Sequence, residues 1–254
     1  MPYAKTSQGK LFYTLSQGSA AEPTLVLIHG AGGSRLHWPA ELRRLPGATV
    51  YTIDLPGHGR SEGPGCSSIE EYARAITDLL DAAGINVPTV IPVGHSMGGA
   101  IGMTLALDFP DRVAGLVLIA TGAKLRVAPA ILAGIQSDLE ASADLITQYA
   151  WASQAPSHLM DAGRQVILET GADVLLQDFT ACDHFDVMER LGDIHAPTLI
   201  VAGSADQLTP VKYAHFLAER IAQARLVTIA EAGHMVMLEQ PTKVEKAVRA
   251  FLNT

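Results

Sequence analysis

The chain has 254 residues, of which 48% are apolar and 17% are charged, and its formal net charge is −8. This length and apolar content suit one large domain, or a core with an insertion, and they exclude a disordered or fibrous protein. The negative charge argues against nucleic acid and anionic membranes as partners, because both are bound through clusters of lysine and arginine.

Short apolar runs predict the strands of a sheet. A run that is apolar throughout is typical of a strand buried on both faces, as in a parallel sheet covered by helices. Between two of these runs, a capping box of Ser68 and Glu71 predicts a helix that ends near Gly84. The alternation predicts an α/β fold with a mostly parallel, doubly wound sheet, and its ligand site should lie outside the carboxyl ends of the strands. In chain order the runs are 10–15, 24–28, 48–53, 89–93, 113–119, 198–202 and 226–229.

The alternation stops between residues 122 and 194, where helical patterns follow one another. The expected helices are 128–137, 141–152, 156–170 and 172–181. A helical block between two strand-rich regions predicts a cap over the ligand site. We therefore expect residues 1–121 and 195–254 to form the two parts of the core and residues 122–194 to form the cap.

A pattern typical of a nucleophile elbow follows the run 89–93, which itself contains Pro92 and is expected to be irregular. The pattern is Gly-His-Ser-Met-Gly at residues 94–98, and a helical pattern comes next. A serine in a strained strand-to-helix turn exposes its hydroxyl, and glycines are needed where the strand and helix backbones approach closely. The five-residue pattern also occurs by chance in ordinary glycine-rich turns. Its assignment therefore depends on the motifs around it.

Five motifs in this order resemble those of the α/β-hydrolase superfamily, in the branch with an inserted helical cap. The resemblance extends over the chain apart from the cap, and it implies an α/β-hydrolase fold and a serine hydrolase activity. The motifs are His-Gly-Ala-Gly-Gly at 29–33, Asp-Leu-Pro-Gly-His-Gly-Arg-Ser at 54–61, the elbow at 94–98, Gly-Ser-Ala-Asp at 203–206 and Ala-Gly-His at 232–234.

The resemblance implies a catalytic triad of Ser96, Asp206 and His234. A serine hydroxyl is a poor nucleophile until a base removes its proton, and imidazole suits that task near neutral pH. The acid holds the histidine tautomer and stabilises the imidazolium. The backbone N–H groups of Ala31 and Met97 would form the oxyanion hole.

Other histidines and acids are expected to have structural roles. His95 flanks the serine, but the geometry of the turn directs its side chain away. His29 and His58 lie in motif loops, where hydrogen bonding is expected, and Asp54 is expected to brace a loop. Cys182 begins a Cys-Asp-His-Phe-Asp stretch that lacks the ligand spacing of a structural zinc site, so we expect neither a metal nor a cofactor.

These residues predict a carboxylesterase that acts on small to medium apolar esters, with the ester and water as its reactants. An aspartate nucleophile would indicate a dehalogenase or an epoxide hydrolase, and Ser96 disfavours both. A lactonase, a thioesterase, a carbon–carbon bond hydrolase and a perhydrolase remain open, as does a sensor of the same fold with slow turnover. The residues expected to line the apolar substrate pocket are Trp38, Trp151, Leu208, Met235 and Val236.

The sequence also suggests a location. No apolar run approaches the roughly 20 residues of a membrane span. The first ten residues lack the apolar stretch of a signal peptide, and the two cysteines form no disulfide framework. We expect a cytoplasmic protein, and the oligomeric state stays open.

Overall fold

The computed structural model describes residues 2–19, 21–85 and 89–253. Within them, eight strands form one sheet in the order β1-β2-β4-β3-β5-β6-β7-β8. The pairs β1–β2 and β2–β4 are antiparallel, and every later pair is parallel. The strands are β1 Tyr3–Thr6, β2 Gly9–Ser16, β3 Thr24–Ile28, β4 Thr49–Ile53, β5 Ile91–His95, β6 Leu116–Ile119, β7 Thr198–Gly203 and β8 Ala224–Ile229.

Helices connect the strands in the alternation that the sequence predicts. The predicted α/β fold with a mostly parallel, doubly wound sheet is confirmed. The helices are α1 Ala40–Arg43, α2 Ile69–Ala82, α3 Met97–Asp108, α4 Pro129–Ser137, α5 Leu139–Ala150, α6 Ser157–Thr170, α7 Ala172–His184, α8 Val211–Arg220, α9 Val236–Glu239 and α10 Pro241–Leu252. Among the described residues, no helix has the length and apolar character needed to cross a membrane.

The sheet has a hydrophobic core on each face. Along β3, Val26 and Ile28 pack into the cluster that contains α2 and α3, whereas Leu25 and Leu27 pack into the cluster on the opposite face. Successive side chains of a strand point to opposite faces, so a strand buried on both sides must be apolar at every position. This explains why the central strands are continuous hydrophobic runs.

Most of the predicted boundaries differ from the observed ones by one to three residues, and two of the differences show how local contacts set them. The run 113–119 becomes a strand only from Leu116, because Val113 forms an isolated bridge with Val90. Helix α5 begins at Leu139, two residues early, because the Asp138 side chain accepts a hydrogen bond from the Ala141 amide at 3.0 Å and caps the helix.

Helices α4 to α7 lie between β6 and β7 and have a small core of their own. Each contributes one fully buried apolar side chain to it: Ile135, Ala143, Ile167 and Leu175. We call residues 129–184 the helical segment. Its division from the rest of the chain as a domain stays a prediction.

Candidate active site

Ser96 lies in a strained turn between β5 and α3. Its φ is +53° and its ψ is −116°, a conformation that costs a non-glycine residue about 1–3 kcal/mol. Two hydrogen bonds hold the turn. The Ser96 amide donates to the Ile119 carbonyl at 2.9 Å, and the Thr121 hydroxyl donates to the Ser96 carbonyl at 2.7 Å. Surrounding structure therefore maintains the strain at this serine.

The glycines of the turn are required by close backbone approach. A Cβ on Gly94 would lie 2.0 Å from the Gly98 carbonyl oxygen, and a Cβ on Gly98 would lie 2.1 Å from the Ile28 carbonyl oxygen. Neither neighbour is a flexible side chain, so neither can move aside. This spacing permits α3 to start directly over the ends of β3 and β5.

Asp206 and His234 form a buried pair after β7 and β8. The Nδ1–H of His234 donates to Oδ2 of Asp206 at 2.9 Å. The Leu208 and Thr209 amides donate to Oδ1 at 2.8 and 2.9 Å, and the Thr209 hydroxyl donates to Oδ2 at 2.7 Å. Burial alone would raise the pKa of Asp206, but His234 and the Thr209 donors hold this pKa well below its usual range. The carboxylate is thus kept ionised against the imidazole.

The loop that carries His234 is fixed on both sides. The Glu239 carboxylate accepts from the Gly233 amide at 3.0 Å and from the Ala152 amide at 3.3 Å, which joins the loop to the end of α5. The Nε2–H of His95 donates to the His234 carbonyl at 3.0 Å. His95 is therefore a structural support for His234, and it also lines the cavity beside Ser96 although the sequence analysis expected its side chain to point away. Glu239 is a second support that the sequence analysis missed.

Ser96 and His234 open into the same cavity, which has a volume of about 150 Å³. Its walls come from the carboxyl ends of the strands and from the helical segment. Three predicted pocket residues, Trp151, Leu208 and Met235, line it. The other two, Trp38 and Val236, are not part of the cavity wall: both are fully buried in the core cluster on one face of the sheet, a cluster to which Trp151 and Met235 also belong.

His37 also lines this cavity, although the sequence offers no signal for it. Its Nε2 is buried and has no hydrogen-bond partner among the described residues. Burial, together with the nearby charge of His58, lowers the pKa of His37 to about 4. The ring is therefore neutral near pH 7 and presents an unpaired polar atom near the cavity.

The loop after β3 places Ala31 in the cavity wall, and Met97 begins α3 directly after the serine. The Nδ1–H of His29 donates to the Gly30 carbonyl at 2.8 Å, and His29 Nε2 accepts from the Leu55 amide at 3.0 Å. His29 thus has the structural role expected from the sequence.

A buried carboxylate from the helical segment also holds this loop. Asp178 of α7 accepts from the Gly32 amide at 2.8 Å, from His58 Nε2 at 2.8 Å and from the Tyr72 hydroxyl at 2.5 Å. Burial alone would lower the pKa of His58, but Asp178 raises it above its ordinary value. The sequence analysis missed Asp178, which lies 120 residues from His58 in the chain.

The remaining sequence candidates have structural contacts. Asp54 accepts from the Arg35 amide and guanidinium at 2.7 and 2.8 Å and from the Arg60 amide at 3.0 Å, which braces its loop. Asp186 pairs with Lys124. Within the described residues no three His, Cys, Asp or Glu side chains are grouped as metal ligands would be.

Comparison with known proteins agrees with this geometry. A family model described as the alpha/beta hydrolase family matches residues 25–247. The chain belongs to this family. The match spans both the core and the helical segment, and it confirms the resemblance inferred from the motifs. The protein is thus a hydrolase by family.

Several proteins similar to this chain are hydrolases of different kinds. The chain is 31% identical to the "Putative carbamate hydrolase RutD" of Pseudomonas syringae pv. syringae, over 92% of this chain and 95% of that one. A solved thermophilic esterase is 34% identical with a TM-score of 0.81, covering 96% of this chain and 98% of its own. The enol-lactonase from Burkholderia xenovorans LB400 is 25% identical with a TM-score of 0.92 and full coverage of both chains.

Proposed function

We propose that the protein is a serine esterase that hydrolyses small to medium apolar carboxylic esters through an acyl-enzyme on Ser96. One observation carries the proposal. The strained serine and the buried His234–Asp206 pair open into one cavity, whose walls are mainly apolar. Nucleophilic acyl transfer needs a nucleophile, a base and a group that orients the base, and Ser96, His234 and Asp206 would fill these three roles.

In the first half of the reaction, Ser96 Oγ attacks the ester carbonyl while His234 Nε2 takes the hydroxyl proton. Asp206 holds Nδ1–H of His234, so Nε2 has the lone pair that accepts this proton, and the carboxylate stabilises the resulting imidazolium. His234 then gives the proton to the alkoxide leaving group. The alcohol departs, and an ester between the acyl group and Ser96 remains.

In the second half, His234 removes a proton from water, and the hydroxide attacks the acyl carbonyl. The bond to Ser96 Oγ breaks, the serine regains a proton from His234, and the carboxylic acid leaves. The amides of Ala31 and Met97 would donate to the oxyanion in both halves, and one such donor is worth on the order of 10²–10³ in rate. All atoms of the balanced reaction come from the ester and one water.

The apolar wall favours the uncharged acyl part of an ester. Ile131, Ile146 and Ile167 of the helical segment face the serine across the cavity, and Trp151 and Met235 extend this wall. The segment would thus act as the cap predicted from sequence and would exclude bulk water from the acyl-enzyme. The small volume of about 150 Å³ favours short acyl chains over long ones.

Lactones are the second candidate substrate. A lactone is an internal ester, so the same residues would open it, and the similarity to a solved enol-lactonase over the full length of both chains favours this alternative. The similarity to a protein named as a carbamate hydrolase adds carbamates to the substrates worth testing.

The test is a set of initial rates on p-nitrophenyl acetate, butyrate, octanoate and laurate, with Ser96→Ala in parallel. We expect turnover of the shorter esters and loss of nearly all activity in the variant. Initial rates on a lactone and a carbamate of matched size would show whether the enzyme prefers an ester, a lactone or a carbamate. Slow turnover on every compound would overturn the enzyme proposal and favour a sensor, and full activity of Ser96→Ala would overturn the assignment of the nucleophile.

A further inference from the structure

A second cavity adjoins the proposed active site. It has a volume of about 310 Å³, and Arg126 and Tyr213 line both cavities. Its floor is apolar, with Ala123, Met188 and Phe216 beside the Tyr213 ring. We call this cavity the annex. Because Arg126 and Tyr213 belong to both linings, the annex lies directly beside the proposed active site.

The annex has an unusual charge for so acidic a protein. Lys124, Arg126 and Lys212 all line it, whereas the whole chain has a net charge of −8. Asp186 pairs with Lys124 and also lies in the field of Arg126, so it offsets one of the three positive charges. Among the described residues neither Arg126 nor Lys212 forms a salt bridge, and the Lys212 ammonium lies 5.8 Å from the centre of the Tyr213 ring.

We propose that the annex binds a carboxylate at the end of one arm of the substrate. The inference rests on the proposed function and extends it from apolar esters to esters of short dicarboxylic or carboxyl-bearing molecules. Arg126 and Lys212 provide the positive charge that a carboxylate needs, and the apolar floor accommodates the methylenes that lead to it. The ester carbonyl stays at Ser96, so the chemistry at the nucleophile is unchanged.

The proposal explains a feature that an apolar ester alone does not. Arg126 and Lys212, which form no salt bridge among the described residues, both lie beside the proposed catalytic cavity. Two separate parts of the chain bring the three cations there: the segment after β6 carries Lys124 and Arg126, and the first turn of α8 carries Lys212. A positive potential at this mouth would also attract anionic substrates as they approach.

The test compares esters that differ only in charge. Mono-p-nitrophenyl glutarate carries the carboxylate on the acyl arm, and p-nitrophenyl 4-carbamoylbutanoate, its primary amide, is the neutral reference of the same size. For the alcohol arm, 4-carboxyphenyl butyrate is compared with 4-carbamoylphenyl butyrate. The quantity measured is the ratio of kcat/KM for the charged ester over its neutral reference, in the wild type and in the double variant Arg126→Gln/Lys212→Gln.

In the double variant we expect at least one of the two ratios to fall about tenfold, because each exposed cation contributes about two- to fivefold. The same ratio should fall in the wild type as NaCl rises from 0.05 to 0.5 M, because exposed charges are screened. The matched control, Lys243→Gln/Lys246→Gln, removes two exposed lysines of α10 and should leave both ratios unchanged.

Free glutarate and inorganic phosphate, tested as inhibitors of butyrate hydrolysis, separate a carboxylate site from a general anion site. We expect glutarate to inhibit more strongly, because phosphate makes no use of the apolar floor. Equal ratios in the wild type and the double variant, or stronger inhibition by phosphate, would overturn the annex while leaving the esterase intact. Failure of the wild type to hydrolyse any ester would instead overturn the proposed esterase function, on which the annex proposal rests.

Discussion

The contact between Asp178 and His58 leads to a strong prediction about stability. Both ring nitrogens of His58 face acceptors, since Nδ1 lies 2.9 Å from the Pro56 carbonyl and Nε2 lies 2.8 Å from Asp178 Oδ2. Both nitrogens must therefore carry hydrogens, and the ring is an imidazolium. Asp178 and His58 are both fully buried, so this is a salt bridge with no exposure to solvent.

The substitution Asp178→Asn keeps the shape of the side chain and removes its charge. In this variant, the oxygen of the new side-chain amide can accept hydrogen bonds from both Gly32 and His58 only while His58 keeps its positive charge. That charge then has no carboxylate partner. If His58 instead loses its Nε2 proton, the NH2 group of the new side chain must turn toward that nitrogen. The backbone N–H of Gly32 then loses its acceptor. A buried unsatisfied donor costs about 1–3 kcal/mol, and a buried unpaired charge costs about 3–5 kcal/mol. We expect the free energy of unfolding to fall by about 2–4 kcal/mol.

The assay is urea denaturation, and Asp144→Asn provides the matched control. Asp144 pairs with Arg164 at 2.5 Å in the same helical segment, but both side chains are partly exposed, so the loss should stay within about 1 kcal/mol. If Asp178→Asn fails to fold, Tyr72→Phe removes one hydrogen bond to the carboxylate and should cost about 1.5–3 kcal/mol. Losses of similar size for Asp178→Asn and Asp144→Asn would refute the reasoning.

Three further outcomes are expected. Asp206→Asn should fold normally and reduce kcat by about 10⁴-fold, because the amide no longer holds the required tautomer of His234, and a decrease below tenfold would contradict this role. Ser96→Gly should raise the free energy of unfolding by about 1 kcal/mol in urea denaturation, because relief of about 1–3 kcal/mol of strain exceeds the entropy cost of glycine, whereas Ser96→Ala should not raise it. The raised pKa of His58 means that its pairing stabilises the fold fully below its unfolded pKa of about 6.5, and this stabilisation is lost as pH rises through the folded pKa. The urea midpoint should therefore fall at alkaline pH more in the wild type than in Asp178→Asn, and parallel curves would argue against the ion pair.

Features set by local backbone geometry could be predicted from the sequence. The glycines at 94 and 98 indicate a close approach of strand and helix because no other residue fits there, and the distances agree. The strands β3 and β7 are predictable for a similar reason, since burial on both faces requires an apolar residue at every position. A short sequence pattern is sufficient to predict features of this kind.

Features that depend on tertiary contacts could not be predicted. Nothing near Asp178 shows that its partners come from two distant loops and from α2. Trp38 and Trp151 pack into the same core cluster, but only Trp151 also reaches the cavity wall, and no local pattern distinguishes the two. The cations of the annex come from separate segments, so no run of basic residues in the sequence predicts that they lie together.

The most direct test of the account is to identify the residue that becomes acylated. The protein is mixed with p-nitrophenyl butyrate, quenched in acid during turnover and analysed by peptide mass spectrometry. We expect a butyryl group on the peptide of the wild-type enzyme that contains Ser96. This peptide should carry more butyryl group at early times than after the ester is consumed. A butyryl group on another residue, or none on Ser96 while hydrolysis proceeds, would contradict the proposed mechanism.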